Sequence, residues 1–231
     1  MTLDQLSIPD CIAAVAALGT ASYALVDSSK AFWGGASNHG FGNIARVLTK
    51  LYPANTGKRD FSTPLTLASV LGTLKSSWLN GVPLADQKAI AKSLVKLRLD
   101  ESNAAHLAHA TGVDAAILAS VAKKIATGES MTQQEKDVFG RFDLILTAIL
   151  DEGYQQADQQ YRNTARTWAA AVSVVLALVG GWVVNKGSLS EHQDILTAFL
   201  VGLLAVPLAP IAKDLSSALS AGVKAMQAFR K

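Results

Sequence analysis

The amino-acid sequence predicts an all-α integral membrane protein with about three transmembrane helices and a cytoplasmic helical domain. Three observations lead to this fold class: long uncharged segments, an uneven distribution of Lys and Arg around them, and helix-start and helix-end signals through most of the remaining chain. A hydrophobic content of 50% in 231 residues fits a few spans joined to a more polar portion. The mean hydropathy of +0.26 also lies between that of an ordinary soluble protein and that of a many-span transporter.

Three uncharged segments are long enough to consider as spans: residues 11–26, 167–184 and 195–211. Their lengths lie near the lower limit, because a bilayer core requires about 17 to 25 helical residues. Trp168 and Trp182 stand at opposite ends of the second segment, and Trp33 follows the first, as tryptophans at a membrane interface do. No basic stretch precedes Cys11, so we expect a retained first span rather than a cleaved signal peptide.

The distribution of basic residues predicts the orientation, because Lys and Arg accumulate on the cytoplasmic side of spans. Residues 1–10 contain no Lys or Arg, whereas Arg162 and Arg166 precede the second segment and four basic residues follow the third. We therefore expect the N-terminus outside, with residues 34–165 and the C-terminus in the cytoplasm. The predicted parts are an N-terminal transmembrane helix (1–33), a cytoplasmic helical domain (34–165), a transmembrane hairpin (166–212) and an amphipathic tail helix (213–231).

Small residues recur every four positions in the apolar segments, which is a pattern that allows close packing of helices in membranes. The second segment carries Ala169, Ser173, Ala177 and Gly181, the third carries Ala198 and Gly202, and the first carries Ala13, Ala17 and Ala21. In the first segment chance explains the spacing equally well. The packing partner of the second segment is either the third segment or a copy in a neighbouring subunit. The third segment also contains Pro207 and Pro210, which predict a helix kink or break.

The central region reads as a series of helices. One helix is expected to open at Thr63 and Pro64, the next at Pro83, and two more over residues 101–110 and 114–126. Thr132 and Glu135 form a capping box that opens a helix running to residue 184. Its apolar positions form a seam from Phe139 through Phe142, Leu146 and Ala157 to Trp168. This seam either packs as domain core, which we favour, or transmits movement to the membrane.

Lys88, Lys92 and Lys96 repeat every four residues on an amphipathic helix. This basic pattern suits a membrane interface, where anionic headgroups attract ammonium groups. A solvated domain face explains the pattern equally well. Neither interpretation supplies a catalytic group.

Two other patterns suggest chemistry weakly. Four glycines, Gly34, Gly35, Gly40 and Gly42, precede a helix expected from Asn43, but they lack the Lys-Ser/Thr of a phosphate-binding loop, so an interfacial turn is favoured. His106 and His109 lie one helical turn apart without further ligands at a recognised spacing, so an exposed helix face is favoured over a metal site. We expect no catalytic residues, cofactor or metal, and a formal charge of +3 gives no reason to expect a nucleic-acid partner.

The sequence resembles an uncharacterised group of bacterial inner-membrane proteins that have an N-terminal span, a helical cytoplasmic region and a C-terminal hydrophobic hairpin. The resemblance covers mainly residues 140–211. It depends on a motif of the type "FD…Y…R.T", matched here by Phe142, Asp143, Tyr161, Arg162, Thr164 and Arg166. The basic pair usual after the tyrosine is reduced to "YRN" in this chain. The resemblance implies a bacterial inner-membrane location and this topology, and it carries no activity.

These features favour a non-enzymatic membrane protein whose helical domain acts as a sensor, adaptor or assembly surface. The expected partners are the lipid bilayer and either copies of the same chain or another membrane protein. The alternative is a pore-forming or membrane-disrupting effector that uses the hairpin at 167–211. The order of a helical domain before a late hairpin is also similar to that of colicin-like pore-forming domains, in which a soluble form buries the hairpin until insertion.

Overall fold

The computed structural model describes residues 8–29, 34–52, 66–184 and 193–210. All regular secondary structure in these residues is α-helical, which confirms the all-α prediction for the described chain. The helices are α1 (Ile8–Ser28), α2 (Ser37–Leu51), α3 (Leu67–Leu79), α4 (Leu84–Lys96), α5 (Ala104–Thr111), α6 (Ala115–Thr127), α7 (Gln133–Val184) and α8 (Gln193–Pro210). The segment 213–231, for which we predicted a tail helix, lies outside the described residues.

Side-chain caps explain where several helices begin. The Thr66 hydroxyl accepts a hydrogen bond from the Ser69 backbone N–H, so α3 begins at Leu67 rather than at the predicted Thr63, which lies outside the described residues. The Asp114 carboxylate accepts from the Ile117 N–H over 2.9 Å and opens α6. Helix α6 ends at Gly128, whose φ of 74° places it in the left-handed region that glycine adopts without strain.

The capping box at the start of α7 is confirmed. The Thr132 N–H donates to Glu135 Oε2 over 2.7 Å, and the Glu135 N–H donates to Thr132 Oγ1 over 3.3 Å. From there α7 continues for 52 residues without a break, including at Gly153, where the sequence left room for one. Gly153 instead permits close packing, since an added Cβ would lie 2.8 Å from Val47 Cγ2 of α2.

Helix α2 begins at Ser37, six residues before the predicted Asn43. Gly34 and Gly35 adopt positive φ values of 78° and 45° and form the turn that precedes the helix. Gly40 lies inside α2, where an added Cβ would meet the Ala157 carbonyl oxygen at 2.5 Å. The glycine-rich segment is therefore part turn and part close-packing helix.

The described chain divides into two compact units. The bundle unit is Ser37–Tyr161, and the terminal unit comprises the described residues of Met1–Ala36 and Arg162–Lys231. Helix α7 contributes residues to both units.

The core of the bundle unit contains the first part of the predicted α7 seam, up to Ala157, whereas Trp168 at the other end of the seam is 55% exposed. Phe142, Leu146 and Ala157 from the predicted seam are fully buried, and Leu150 and Tyr154 are buried with them. The Tyr154 hydroxyl donates to the Gln87 carbonyl over 3.3 Å, and burial raises the pKa of this phenol. The Trp78 indole N–H donates to the Ser37 carbonyl over 2.9 Å and so joins α3 to α2.

Candidate functional site

Three helices of the structure are long and apolar enough to cross a membrane. They are α1, through the window Cys11–Ser28, α7, through a window in its apolar part, and α8, over Gln193–Pro210. Asp, Glu, Lys and Arg residues in α8 and in the α1 window are restricted to Asp194 and Asp27, each close to a helix end. This finding is compatible with membrane localisation.

Helices α7 and α8 pack through small residues of the terminal unit. A Cβ added to Gly202 would lie 2.5 Å from the Val174 Cα and 2.9 Å from the Ser173 carbonyl oxygen. Ala169 and Ser173 are fully buried, whereas Ala177, Gly181 and Ala198 are half-buried. The backbones therefore approach closely at Gly202, as small residues permit in membrane helices.

Helix α1 packs on α8 through a face that the sequence did not identify. A Cβ added to Gly19 would clash with the Ala205 carbonyl group and would lie 2.9 Å from the Ala209 Cβ. Ser22 and Ala205 are fully buried near this contact. Ala13, Ala17 and Ala21 are exposed in the described chain, so they do not form this contact, and a packing role for this stripe remains a prediction.

The large apolar side chains of the terminal unit point outward. Val175 and Val179 of α7 are 57% and 52% exposed, and Leu196, Phe199 and Leu204 of α8 are 58%, 45% and 51% exposed. Between α7 and α8 the buried side chains include the small Ala169 and Ser173, while these large apolar side chains are exposed, which differs from the usual arrangement of a water-soluble core. Many exposed large apolar side chains on helices of this kind are typical of contact with lipid or with another protein.

Hydroxyl groups within the spans are mostly bonded inside their own helix. Thr20 Oγ1 donates to the Ala16 carbonyl over 2.9 Å, and Ser22 Oγ donates to the Leu18 carbonyl over 2.8 Å. Such bonds satisfy polar groups where water is absent. Ser173 Oγ differs, because it is buried without a hydrogen-bond partner among the described residues.

The residues predicted for the membrane interface and for the kink are only partly described. Trp168 and Trp182 are 55% and 52% exposed, while Trp33 lies outside the described residues. Helix α8 continues through Pro207 without a break and extends to Pro210, and both prolines are exposed. The interfacial role and the kink remain predictions.

The three lysines of α4 bind carboxylates of α7. Lys88 donates to Asp151 Oδ1 over 2.5 Å, and Lys92 and Lys96 donate to the two oxygens of Asp143 over 2.6 Å and 3.0 Å. Partial burial raises the pKa of Asp143, but the hydrogen bonds from Lys92 and Lys96 outweigh it and hold the pKa below its usual value. These ammonium groups therefore contribute to packing within the bundle unit, and their contact with a membrane remains a prediction.

Three motif residues of the resemblance make contacts within the bundle unit. Phe142 is fully buried and stacks with Phe139 at a centroid distance of 6.1 Å, and Asp143 beside it bonds the α4 lysines. Tyr161 contacts Trp78 edge to face at 6.2 Å. These side chains therefore contribute to packing and ion pairing within the bundle unit.

The two histidines of α5 have different surroundings. His106 Nε2 lies 3.0 Å from the Lys50 carbonyl oxygen, and His109 is exposed. No group of three or more His, Cys, Asp or Glu side chains able to hold a metal ion occurs within residues 8–29, 34–52, 66–184 and 193–210.

Comparisons with known families, with functionally characterised proteins and with solved structures give no match for this chain. The resemblance to bacterial inner-membrane proteins therefore remains an expectation from the sequence.

Proposed function

We propose that this chain is a non-enzymatic integral membrane protein of the bacterial inner membrane, anchored by α1, the apolar part of α7 and α8. The bundle unit acts in the cytoplasm as a sensor, adaptor or assembly surface. Its partners are the bilayer and either further copies of the chain or another membrane protein. The observation that carries the proposal is the packing of the terminal unit, where Gly19, Ser173 and Gly202 are buried while Val175 and Leu196 are exposed.

Two further observations fit an adaptor role. The bundle unit has its own hydrophobic core, which includes Phe142 and Leu146, and its α4 lysines are bonded to α7. Helix α7 supplies both this core and an apolar span without an intervening loop. A change in the packing of the bundle unit would therefore act on a helix that also enters the membrane.

Membrane insertion and topology are tested together. The chain with Cys11→Ala, which removes an exposed thiol, is expressed with a single cysteine at Ser188 or at Ser130. After an alkaline carbonate wash the protein should stay in the membrane fraction, with position 188 labelled by an impermeant thiol reagent and position 130 protected until the cells are opened. Release by carbonate would contradict membrane integration, and labelling of position 130 in intact cells would contradict the orientation.

Assembly is tested separately by crosslinking in cells before gentle detergent extraction. A ladder of defined oligomers, or one crosslinked partner recovered repeatedly, is the expected result. A monomer without partners at every crosslinker length would contradict the adaptor and assembly role while leaving membrane integration intact.

The pore-forming alternative makes a different prediction. A soluble state would have to bury the hairpin, but only 11% of the apolar window in α7 and 22% of that in α8 are buried. The adaptor role predicts that induced expression leaves the membrane potential unchanged, whether or not a soluble state exists. Loss of potential at normal levels of full-length protein would favour the pore.

A further inference from the structure

A groove of about 720 Å³ opens on the bundle unit and is lined by residues of α2, α5 and α7. Its apolar lining includes Val47 and Leu51 of α2 and Ile149 of α7. Its polar lining includes Arg46, Lys50, His109 and Glu152. The volume falls within the range of about 300 to 1,000 Å³ that is usual for small-molecule sites.

The apolar floor exists because α2 and α7 approach closely beneath the groove. Gly153 has no side chain, so Val47 packs against the α7 backbone, and an added Cβ would lie 2.8 Å from Val47 Cγ2. Leu51 is 2% exposed and belongs to the core, which closes the floor. An aliphatic group in the groove would therefore contact side chains fixed by the core of the bundle unit.

The cationic side of the groove is formed by Arg46 and Lys50, which are four residues apart on α2 and hence on the same face. Arg46 Nη1 donates to Asn43 Oδ1 over 2.9 Å, and Asn43 Nδ2 donates to Gln160 Oε1 over 2.7 Å. This chain of hydrogen bonds orients the guanidinium group at the groove.

The charge of these two residues is not balanced within the described chain. Ion pairs in the described part of the bundle unit use Lys88, Lys92, Lys96 and Lys124, and none uses Arg46 or Lys50. Glu152 is the single carboxylate of the groove lining, and its Oε1 accepts from Gln156 Nε2 over 3.0 Å. Two cations beside an apolar floor are complementary to a ligand that has an anionic group and an aliphatic portion.

We propose that this groove binds a free single-chain amphiphile with an anionic headgroup, of the fatty acid or alkyl phosphate class. Its headgroup bonds Arg46 and Lys50, and its chain lies on Val47, Leu51 and Ile149. The size of the groove suits one small molecule better than a two-chain bilayer lipid. The proposal concerns the bundle unit alone and does not depend on the topology or the partners proposed above.

The test uses the full chain in nanodiscs of zwitterionic lipid and an alkyl phosphate that carries a photoreactive diazirine. Crosslinked peptides are mapped by mass spectrometry, and dodecyl phosphate is the competitor. Saturable labelling is expected on peptides that contain residues 43–51 or 149–156. Arg46→Gln and Lys50→Gln should each weaken competition by about tenfold, because each removes a charge-assisted hydrogen bond.

Lys123→Gln is the matched control, since Lys123 is an exposed lysine of α6 away from the groove. It should leave labelling and competition unchanged. Circular dichroism and thermal unfolding establish that each variant is folded. Lys50→Arg, which keeps the cation, should compete as the wild type does, in contrast to Lys50→Gln.

Four results would each overturn the proposal. These are labelling restricted to the spans, an equal loss of competition with Lys123→Gln, competition by inorganic phosphate as strong as that by dodecyl phosphate, and displacement of the probe by anionic two-chain lipid added to the nanodisc. Equal competition by inorganic phosphate would show that the apolar floor does not contribute to binding. Displacement by two-chain lipid would show that the ligand is a bilayer lipid rather than a free amphiphile.

Discussion

Lys92 of α4 donates a hydrogen bond to Asp143 of α7 over 2.6 Å, and the two side chains are each 28% exposed. The same carboxylate accepts a second bond from Lys96 over 3.0 Å, and Lys96 also lies 5.0 Å from the centroid of the Phe139 ring. One carboxylate thus joins two turns of α4 to α7. The basic face of α4 therefore contributes ion pairs to the bundle unit.

Asp143→Asn should destabilise the bundle unit. The substitution leaves two ammonium groups without their counter-ion, and partly exposed pairs of this kind contribute about 1 kcal/mol. Thermal unfolding of the full chain in detergent should therefore show a lower Tm. Asp137→Asn is the control, because Asp137 is an exposed carboxylate of α7 that bonds only the neighbouring turn through Gln133. An equal loss in both variants would contradict a specific role for Asp143.

Glu135 should make stability depend on pH. Hydrogen bonds from Lys124, Ser120 and the Thr132 N–H lower the pKa of Glu135 from 4.5 to about 2. Because the folded pKa lies below the unfolded one, the stabilisation is complete above pH 4.5 and is lost as the pH falls from 4.5 towards 2. Glu135→Gln should flatten this dependence in denaturant titrations. Glu129→Gln, at an exposed position, should preserve it, and a similar slope in wild type and Glu135→Gln would refute the assignment.

The sequence predicted features set by neighbouring residues better than features set by distant contacts. Thr132 and Glu135 form their capping box within one turn, so residue type and spacing were sufficient to locate the start of α7. The partner of Lys88 is Asp151, 63 positions away, and a pattern of cations on one helix does not identify an anion on another. The spacing of the α4 lysines therefore did not predict their carboxylate partners on α7.

The face of α1 that contacts α8 was likewise not predictable from residue spacing. Ala13, Ala17 and Ala21 repeat every four residues, but Gly19 and Ser22 occupy the face that contacts α8. An alanine-rich helix presents small residues on several faces, and only the contact with Ala205 selects one of them. The groove was missed for the same reason, since its residues come from three separate helices.

Alanine substitution at two glycines of α2 should change the free energy of unfolding in opposite directions. A Cβ at position 40 would lie 2.5 Å from the Ala157 carbonyl oxygen and 2.9 Å from Trp78 Cζ2. Gly40→Ala should therefore destabilise the chain by about 1 to 3 kcal/mol through overpacking. Gly42 has no atom within 4 Å of an added Cβ, so Gly42→Ala should stabilise it by about 0.4 to 1 kcal/mol. Chemical denaturation measures both, and a shift of the same sign would contradict the packing of α2 on α7.

The contact between α7 and α8 is tested by a second pair of glycines. Gly202 lies against Val174 and Ser173, whereas Gly180 of α7 has open space around an added Cβ. Gly202→Leu should separate the two helices and cost at least about 1 to 3 kcal/mol, because the clash is with backbone atoms that cannot rotate away. Gly180→Leu adds the same apolar bulk to the exposed apolar surface and should be tolerated.

Both glycine variants can be compared in the same mild detergent by thermal unfolding and by crosslinking of cysteine pairs placed on α7 and α8. Gly202→Leu is expected to lower both the Tm and the crosslinking yield. Gly180→Leu is expected to keep wild-type values for both. If Gly180→Leu alone abolished oligomers, the exposed face of α7 would be an interface between subunits rather than a lipid-facing surface. Unchanged crosslinking in Gly202→Leu would instead show that close backbone contact at this position does not hold α7 and α8 together.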